Sequence, residues 1–561
     1  MGIKRTSRWR RLVGATVAAA AVAAAAWTVS AAGPRFLSDD PLAHEPDPAD
    51  ASKVQAFPIH LSWDLISSLF FREGNRSPRP AANANTIGEV PDSSWFVNRA
   101  GARPITVADM ARGPDTTNGP APGTWTVTTG KSEGVRPGFT IHDSAGIVWF
   151  LKFDPPGYPE QATSAEVVST KLFWALGYYV AETHVAQLRR ENLVLAPDAH
   201  ITVNGKRRPL TQGDITWVLL RAARDEDGSY RAIASRALPG KPVGEFLYYG
   251  TRSDDPNDVV PHEDRRELRG MVAAAAWIDR VDAKAGNTLD ALVPEGGRTV
   301  VRHHVLDFGS TLGSAGIGAN EYWEGYQYLY DGRDLSRKIL GFGFPIEPWR
   351  HASFPTLRGI GRLEGDQFDP RGWKSRVPNK AYVKADADDL FWAATKIATI
   401  SDELVAAAVD SGHYTDARAR QYLVETLIKR RHAIARAYLP AVNPVSQPTL
   451  DEAGVLRFRN AAVDDAGAAP PASYQTSWAV FDNASATVTT PLGTRDSATV
   501  QVAAPSALSD QPGSFVRITL AATSPEHPAW AAPAHLFFRR AAAGWTLVGL
   551  DRTPGAPPAN R

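Results

Sequence analysis

The sequence predicts an α+β fold divided among several domains, and three observations predict it. From about residue 125 to 235, apolar and polar positions alternate in short runs, as they do in half-buried strands. From about 263 to 440, segments such as EDRRELRGMVAAAAWI carry the spacing of helices. From about 471, short strand-like runs return at sandwich-like intervals, among them SWAVFDN, SATVQVA and SFVRITLAAT. A length of 561 residues suits about three or four domains.

Composition bounds the chemistry. The chain has no cysteine, which excludes disulfides, thiolate catalysis, zinc–thiolate sites and acylation of a lipoprotein cysteine. A net charge of +1 gives no electrostatic case for a nucleic-acid partner. Lys4, Arg5, Arg8, Arg10 and Arg11 precede a charge-free, Ala- and Val-rich run from Leu12 to Pro34. Residues 1–34 therefore read as a signal peptide, or as an N-terminal anchor if uncleaved. Either way the body is expected outside the cytoplasmic membrane, touching it only through this segment.

The elements follow in order. Residues 35–118 form an N-terminal extension, with linker from Phe36 to Ala51, a short amphipathic helix or strand from His60 to Phe71, and an arm expected to pack on the next domain. A Pro/Gly/Asn run at 113–123 marks the boundary. In the β-rich segment 119–240, Gly130, Gly134 and Gly138 recur at four-residue spacing around a hairpin. Lys152 interrupts the apolar run Val148–Phe153, a costly position for a charge without a partner. Glu166, on the helix that follows, is the natural partner and Glu160 the fallback; Gly177 reads as that helix's C-cap. Further strands are expected at 184–188, 201–203, 215–220 and 230–235. Segment 241–440 carries helices at 263–278, 386–408 and 415–439, the last capped by Thr415. A Pro/Ala/Asp-rich linker at 441–470 leads to a small β-domain at 471–561 that shows no catalytic cluster and is expected to pack on the body.

The helix at 263–278 delivers the chain into Asp282-Ala283-Lys284-Ala285-Gly286-Asn287, with Asn five places after Asp. A strand–turn–strand then leads to Asp307-Phe308-Gly309. An Asp that takes the proton of an attacking hydroxyl, a nearby Lys, and an Asn and second Asp as oxygen donors are what phosphoryl transfer requires. Oxygen donors suit Mg²⁺ or Mn²⁺ rather than zinc. Asp279 competes for the acidic role, but only Asp282 has Asn at that spacing. His303 and His304 are adjacent on a strand and face opposite ways, so they cannot both point at a metal and read as packed or solvated residues rather than ligands.

This order of motifs resembles the atypical protein-kinase-like superfamily. It is similar in texture to toxin-type bacterial serine kinases, type II phosphatidylinositol 4-kinases, and spore-coat and secretory-pathway kinases. The resemblance covers about residues 120–440. It implies a bilobal body, with a β-rich lobe at 119–240 and a helical lobe at 241–440, and a nucleotide, ATP, held with Mg²⁺ or Mn²⁺. Lys152 and Glu166 would anchor phosphates, Gly130, Gly134 and Gly138 would approach them, and the 235–238 backbone would meet adenine. Asp282 and Lys284 would be catalytic, and Asn287 and Asp307 would hold the metal. Arg280-Val281 stands where the family has His-Arg, and no Ala-Pro-Glu follows Gly309, which leaves the acceptor open among protein, lipid and small molecule. A pseudokinase, an envelope interaction protein and adenylyl transfer are the alternatives.

Overall fold

The computed structural model describes residues 33–552 except 57, 58, 60, 70–78, 132–135, 204, 332–335, 337, 338 and 341–347. The expected signal or anchor segment up to residue 32, and Gly134, lie outside the described residues. Among the described residues no helix is long and apolar enough to cross a membrane.

The fold is mixed α and β. Helices α1 (Leu61–Ser68) and α2 (Val107–Arg112) precede a seven-stranded sheet. Its strands are β1 (Trp125–Gly130), β2 (Gly138–His142), β3 (Val148–Phe153), β4 (Thr183–Leu188), β5 (Leu193–Val203), β6 (Lys206–Pro209) and β7 (Tyr230–Arg236). They lie in the order β4-β7-β3-β2-β1-β5-β6. Alternation along β3 buries Trp149, Leu151 and Phe153 with Trp125, Val127 and Phe139. Lys152 is thereby sent to the opposite face, toward helix α3 (Gln161–Leu176). The buried face is covered by α4 (Gln212–Leu220) through Ile215, Val218 and Leu219. This corrects the strand expected at 215–220: the segment is helical, started by a Thr211/Asp214 capping box.

A three-stranded sheet, β10-β9-β8, and a set of helices come next. Strand β8 (Lys241–Gly244) precedes α5 (Arg266–Trp277), and β9 (Thr288–Glu295) and β10 (Arg298–Val305) form a hairpin. The hairpin turns at Gly296-Gly297, both at positive φ, the conformation a two-residue turn demands. Helices α6 (Lys380–Lys384), α7 (Ala387–Ala398) and α9 (Ala417–Tyr438) pack around α5, and α8 (Asp402–Asp410) packs on α9, α2 and α3. Asp416, one residue beyond the expected Thr415, caps α9. Trp277, Met271, Ile397 and Leu427 are fully buried in their shared core.

That core continues into the C-terminal strands, taking in Leu456, Trp478, Ile518 and Trp530. Here β11 (Val445–Leu450), β12 (Val455–Asn460), helix α10 (Ala461–Ala466) and β13 (Ser473–Asp482) succeed one another. Strands β14 (Thr487–Ser497), β15 (Gln501–Ala503), β16 (Phe515–Thr523), β17 (Ala534–Ala541) and β18 (Gly544–Arg552) complete two antiparallel sheets, β14-β13-β16-β17-β18 and β11-β12-β15. The stretch expected as linker at 441–470 is therefore structured, because Leu450, Leu456 and Phe458 alternate inward beneath its polar composition.

The N-terminal extension packs closely on the rest of the chain. Phe36 sits among Phe481, Phe515 and Phe537, with ring centroids 6.1, 6.2 and 5.2 Å away. Ala51 donates its N–H to the Thr299 carbonyl at 2.8 Å. The segment from Phe36 to Ala51 is thus a strap held at both ends rather than a free linker. Further on, Asn83 accepts the Arg266 N–H at 2.8 Å at the start of α5. The Trp95 ring stacks on His303 at 3.5 Å.

Candidate active site

The site begins with Glu166 and the contacts that hold its helix. The Asp154 carboxylate, at the end of β3, accepts the backbone N–H groups of Glu160, Ala162 and Thr163, each at 2.9 Å, and the Thr163 hydroxyl at 2.6 Å. Asp154 is completely buried. It satisfies the orphan donors at the α3 N-terminus, which its nominal cap residue, Glu160, does not. Arg231 ties the same turn down through Thr163 Oγ1 at 2.9 Å and Ser164 Oγ at 2.7 Å. Replacing Asp154 by alanine should cost about 2 kcal/mol or more, the upper range for a lost cap, because several buried donors lose their partner together. Chemical denaturation of the variant measures this.

From α3, Glu166 meets Lys152 Nζ at 3.3 Å, and Lys152 in turn meets Asp307 Oδ1 at 3.1 Å. Glu160, the fallback partner, is engaged elsewhere, by Arg358 at 2.7 Å and Thr415 N at 3.0 Å. Glu166 is 3 % exposed and Lys152 15 %, whereas the Asp307 carboxylate is 42 % exposed. Burial pushes the Asp307 carboxyl up, but Lys152 and Arg136 beside it reverse this and hold it well below the usual carboxylate range. Asp307 also adopts a positive φ of 54°, a conformation sparsely populated by non-glycine residues but tolerated by Asp better than by most. Phe308 anchors this turn to α3 by packing on Phe173 at 4.9 Å, and Thr311 Oγ1 meets Ser169 Oγ at 2.7 Å.

Asp282, Lys284 and Asn287 form a second cluster. Asn287 Nδ2 donates to the Asp282 carbonyl at 2.7 Å and to its Oδ2 at 3.1 Å. Lys284 Nζ lies 3.0 Å from the same Oδ2. The β9–β10 hairpin brings this cluster to Asp307: Asn287 directly precedes β9, Leu306 directly follows β10, and Leu306 N donates to Asn287 O at 2.9 Å. The buried Arg280 guanidinium reinforces the junction, donating to Leu306 O at 3.1 Å and lying 5.2 Å from the Phe308 ring centre. Asp279, the competing acid, is 5 % exposed and accepts from Trp373 Nε1 at 2.9 Å and Asn320 Nδ2 at 3.0 Å. Its carboxylate is thus committed to the core.

Not every expected residue takes the place assigned to it. A Cβ on Gly138 would lie 2.0 Å from the Leu151 carbonyl oxygen, and one on Gly130 would lie 2.9 Å from Ile201 and Leu210. Close packing within the sheet explains both glycines. In the 235–238 segment, Arg236 N already donates to Glu182 O at 2.9 Å and Ala237 N to Val148 O at 3.0 Å. These two donors are spent inside the sheet and are not offered to a base. His303 accordingly packs, with Nδ1 2.7 Å from Asp290 Oδ1.

Three residues of the site carry no motif. Arg136 Nη2 lies 2.6 Å from Glu166 Oε2 and 3.1 Å from Asp307 Oδ1. Lys131 donates to the Arg136 carbonyl at 3.2 Å, and burial next to Lys152 and Arg136 pushes its amine down to about 8. Arg376 joins Glu324 at 2.6 Å and comes within 3.7 Å of Asp282 Oδ1.

No protein-family model and no curated protein matches the sequence. Two kinases are among the solved structures it resembles. The Helicobacter pylori proinflammatory kinase CtkA aligns at 13 % identity and a TM-score of 0.28, covering 55 % of this chain and 94 % of that one. A Golgi casein kinase aligns at 10 % identity and a TM-score of 0.28, covering 71 % and 95 %. Likeness of that degree carries no assignment, which rests on the geometry of the site.

The donor set bears on a divalent ion. Among the described residues no three His, Cys, Asp or Glu side chains gather as a metal cage. Mg²⁺ does not need one, since it usually takes one or two protein carboxylates and completes its shell with substrate phosphates and water. The Asp307 carboxylate, half exposed, and the Asn287 amide oxygen are donors of the kind such an ion takes.

Proposed function

We propose that the chain is an exported, bilobal, kinase-like phosphotransferase that uses ATP with Mg²⁺ or Mn²⁺. The observation that carries this reading is the continuous chain of contacts from Glu166 through Lys152 to Asp307, with Asp282, Lys284 and Asn287 hinged to Asp307 by the β9–β10 hairpin. In this reading Lys152 binds the α- and β-phosphates and Glu166 fixes its amine. Asp307 and Asn287 would hold the divalent ion, which when bound would neutralise charge on the phosphoryl group. Asp282 accepts the proton of the acceptor hydroxyl as that oxygen bonds to the γ-phosphorus. The bond from the γ-phosphorus to the β-bridging oxygen breaks, ADP leaves, and Lys284 offsets the charge on the transferred group. The C-terminal strands form a β-domain packed on the helical lobe. The basic N-terminus and the charge-free run behind it support export.

One observation favours a second reading, a nucleotide-binding pseudokinase: the Arg136 guanidinium lies on the Asp307 oxygen that a metal would take. Incubating the full-length protein with ATP labelled in either the γ- or the α-phosphate, with Mg²⁺ or Mn²⁺ and an envelope extract, separates the readings. Incorporated γ-label supports phosphoryl transfer, and α-label supports adenylyl transfer. Nucleotide binding without incorporation supports the pseudokinase.

A further inference from the structure

We infer that Arg136, paired with Asp307, is a phosphate-binding residue of the nucleotide site. The inference rests on the nucleotide-binding reading above and extends it to a residue that none of the motifs contains.

Four observations point to it. Arg136 is 5 % exposed, yet only its Nη2 is engaged by carboxylates, Glu166 at 2.6 Å and Asp307 at 3.1 Å. Its Nη1 is buried without a hydrogen-bond partner among the described residues. An unsatisfied buried guanidinium nitrogen is costly, and planar forks of this kind suit phosphate oxygens. Next, Lys131, Arg136 and Lys152 converge on Glu166 and Asp307, with Asp154 the further carboxylate facing Arg136, so three cationic groups stand together where a polyphosphate would lie. Thirdly, a Cβ at Gly309 would lie 2.1 Å from Arg136 Nη2 and 2.4 Å from its Cζ, so the turn after Asp307 admits the guanidinium only because residue 309 is glycine. Lastly, Arg136 and Lys152 lie at equal distances, 3.1 Å, from the same Asp307 oxygen. An ion bound to that oxygen displaces at least one of them. Glu166 retains Lys152, and the polyphosphate accepts Arg136.

Two effects of opposite sign are expected. With Arg136→Gln, Mn²⁺ alone should bind about twofold to fivefold more tightly, because one competing cation has left a half-exposed carboxylate. A non-hydrolysable ATP analogue with Mg²⁺ should bind about tenfold to a hundredfold more weakly, the worth of a charge-assisted hydrogen bond. Arg136→Lys keeps the charge without the fork and should recover part of the nucleotide affinity. Mn²⁺ binding followed by electron paramagnetic resonance, and analogue binding followed by calorimetry, read the two arms. A variant that loses both affinities together, or changes neither, overturns the inference, since a purely structural Arg136 predicts a common fate. If the wild-type protein binds Mn²⁺ but no analogue, the nucleotide reading itself fails, and phosphate binding by Arg136 with it. If the wild type binds both, and Arg136→Gln binds the analogue as tightly as the wild type, this inference fails and the nucleotide reading stands.

Discussion

Replacing Asp307 by alanine is expected to lower the affinity for ATP with Mg²⁺ by more than about 100-fold. Losing only an outer partner of a metal ligand typically costs about 10–100-fold, and Asp307 is the sole carboxylate assigned to the ion itself. The protein should remain folded. Lys152 and Arg136 then share Glu166 alone, at 3.3 and 2.6 Å, so some stability is lost with the carboxylate, but neither cation is left without a partner. Calorimetric titration of the variant, beside a thermal melt, separates lost binding from lost structure. Binding within a few-fold of wild type would remove Asp307 from the site.

Replacing Asp282 by asparagine should act on the other half of the reaction. Nucleotide affinity should stay within about twofold, while transfer of the γ-phosphate falls by about 10²–10⁴, the usual cost of a lost general base. The isosteric amide retains an oxygen for Asn287 Nδ2, now 3.1 Å from Asp282 Oδ2, so the loop geometry should persist. Single-turnover incorporation of label reports the chemical step alone. An unchanged transfer rate would return the acidic role to another residue, and Asp279 is a poor candidate because Trp373 and Asn320 hold its carboxylate in the core.

The residues that announced themselves in the sequence did so through local conflict or local pattern. Lys152 is a charge in an apolar strand, Glu166 is an acid on the next helix, and Asp282 with Asn287 and Asp307 keep short, ordered spacings. Arg136 had no such signal. Its segment, KSEGVRP, reads as a polar turn, and its contact with Asp307 spans 171 positions. Asp154 was equally silent, because a cap supplied from the end of the preceding strand does not occupy the usual N-cap position. At 215–220 the run ITWVLL has strand composition, and the capping box at Thr211 and Asp214 was the local sign that it is helical. At 441–470 the proline, alanine and aspartate content masked two strands, β12 with every second residue inward and β11 with its alternation broken by a register shift between Ser446 and Thr449.

Titration of the full-length wild-type protein with ATP, with and without Mg²⁺, decides whether the Glu166–Lys152–Asp307 chain serves a nucleotide. Saturable binding is predicted, markedly tighter with the divalent ion, because Asp307 and Asn287 are assigned to that ion and Lys152 to the phosphates. No binding under either condition would contradict those assignments.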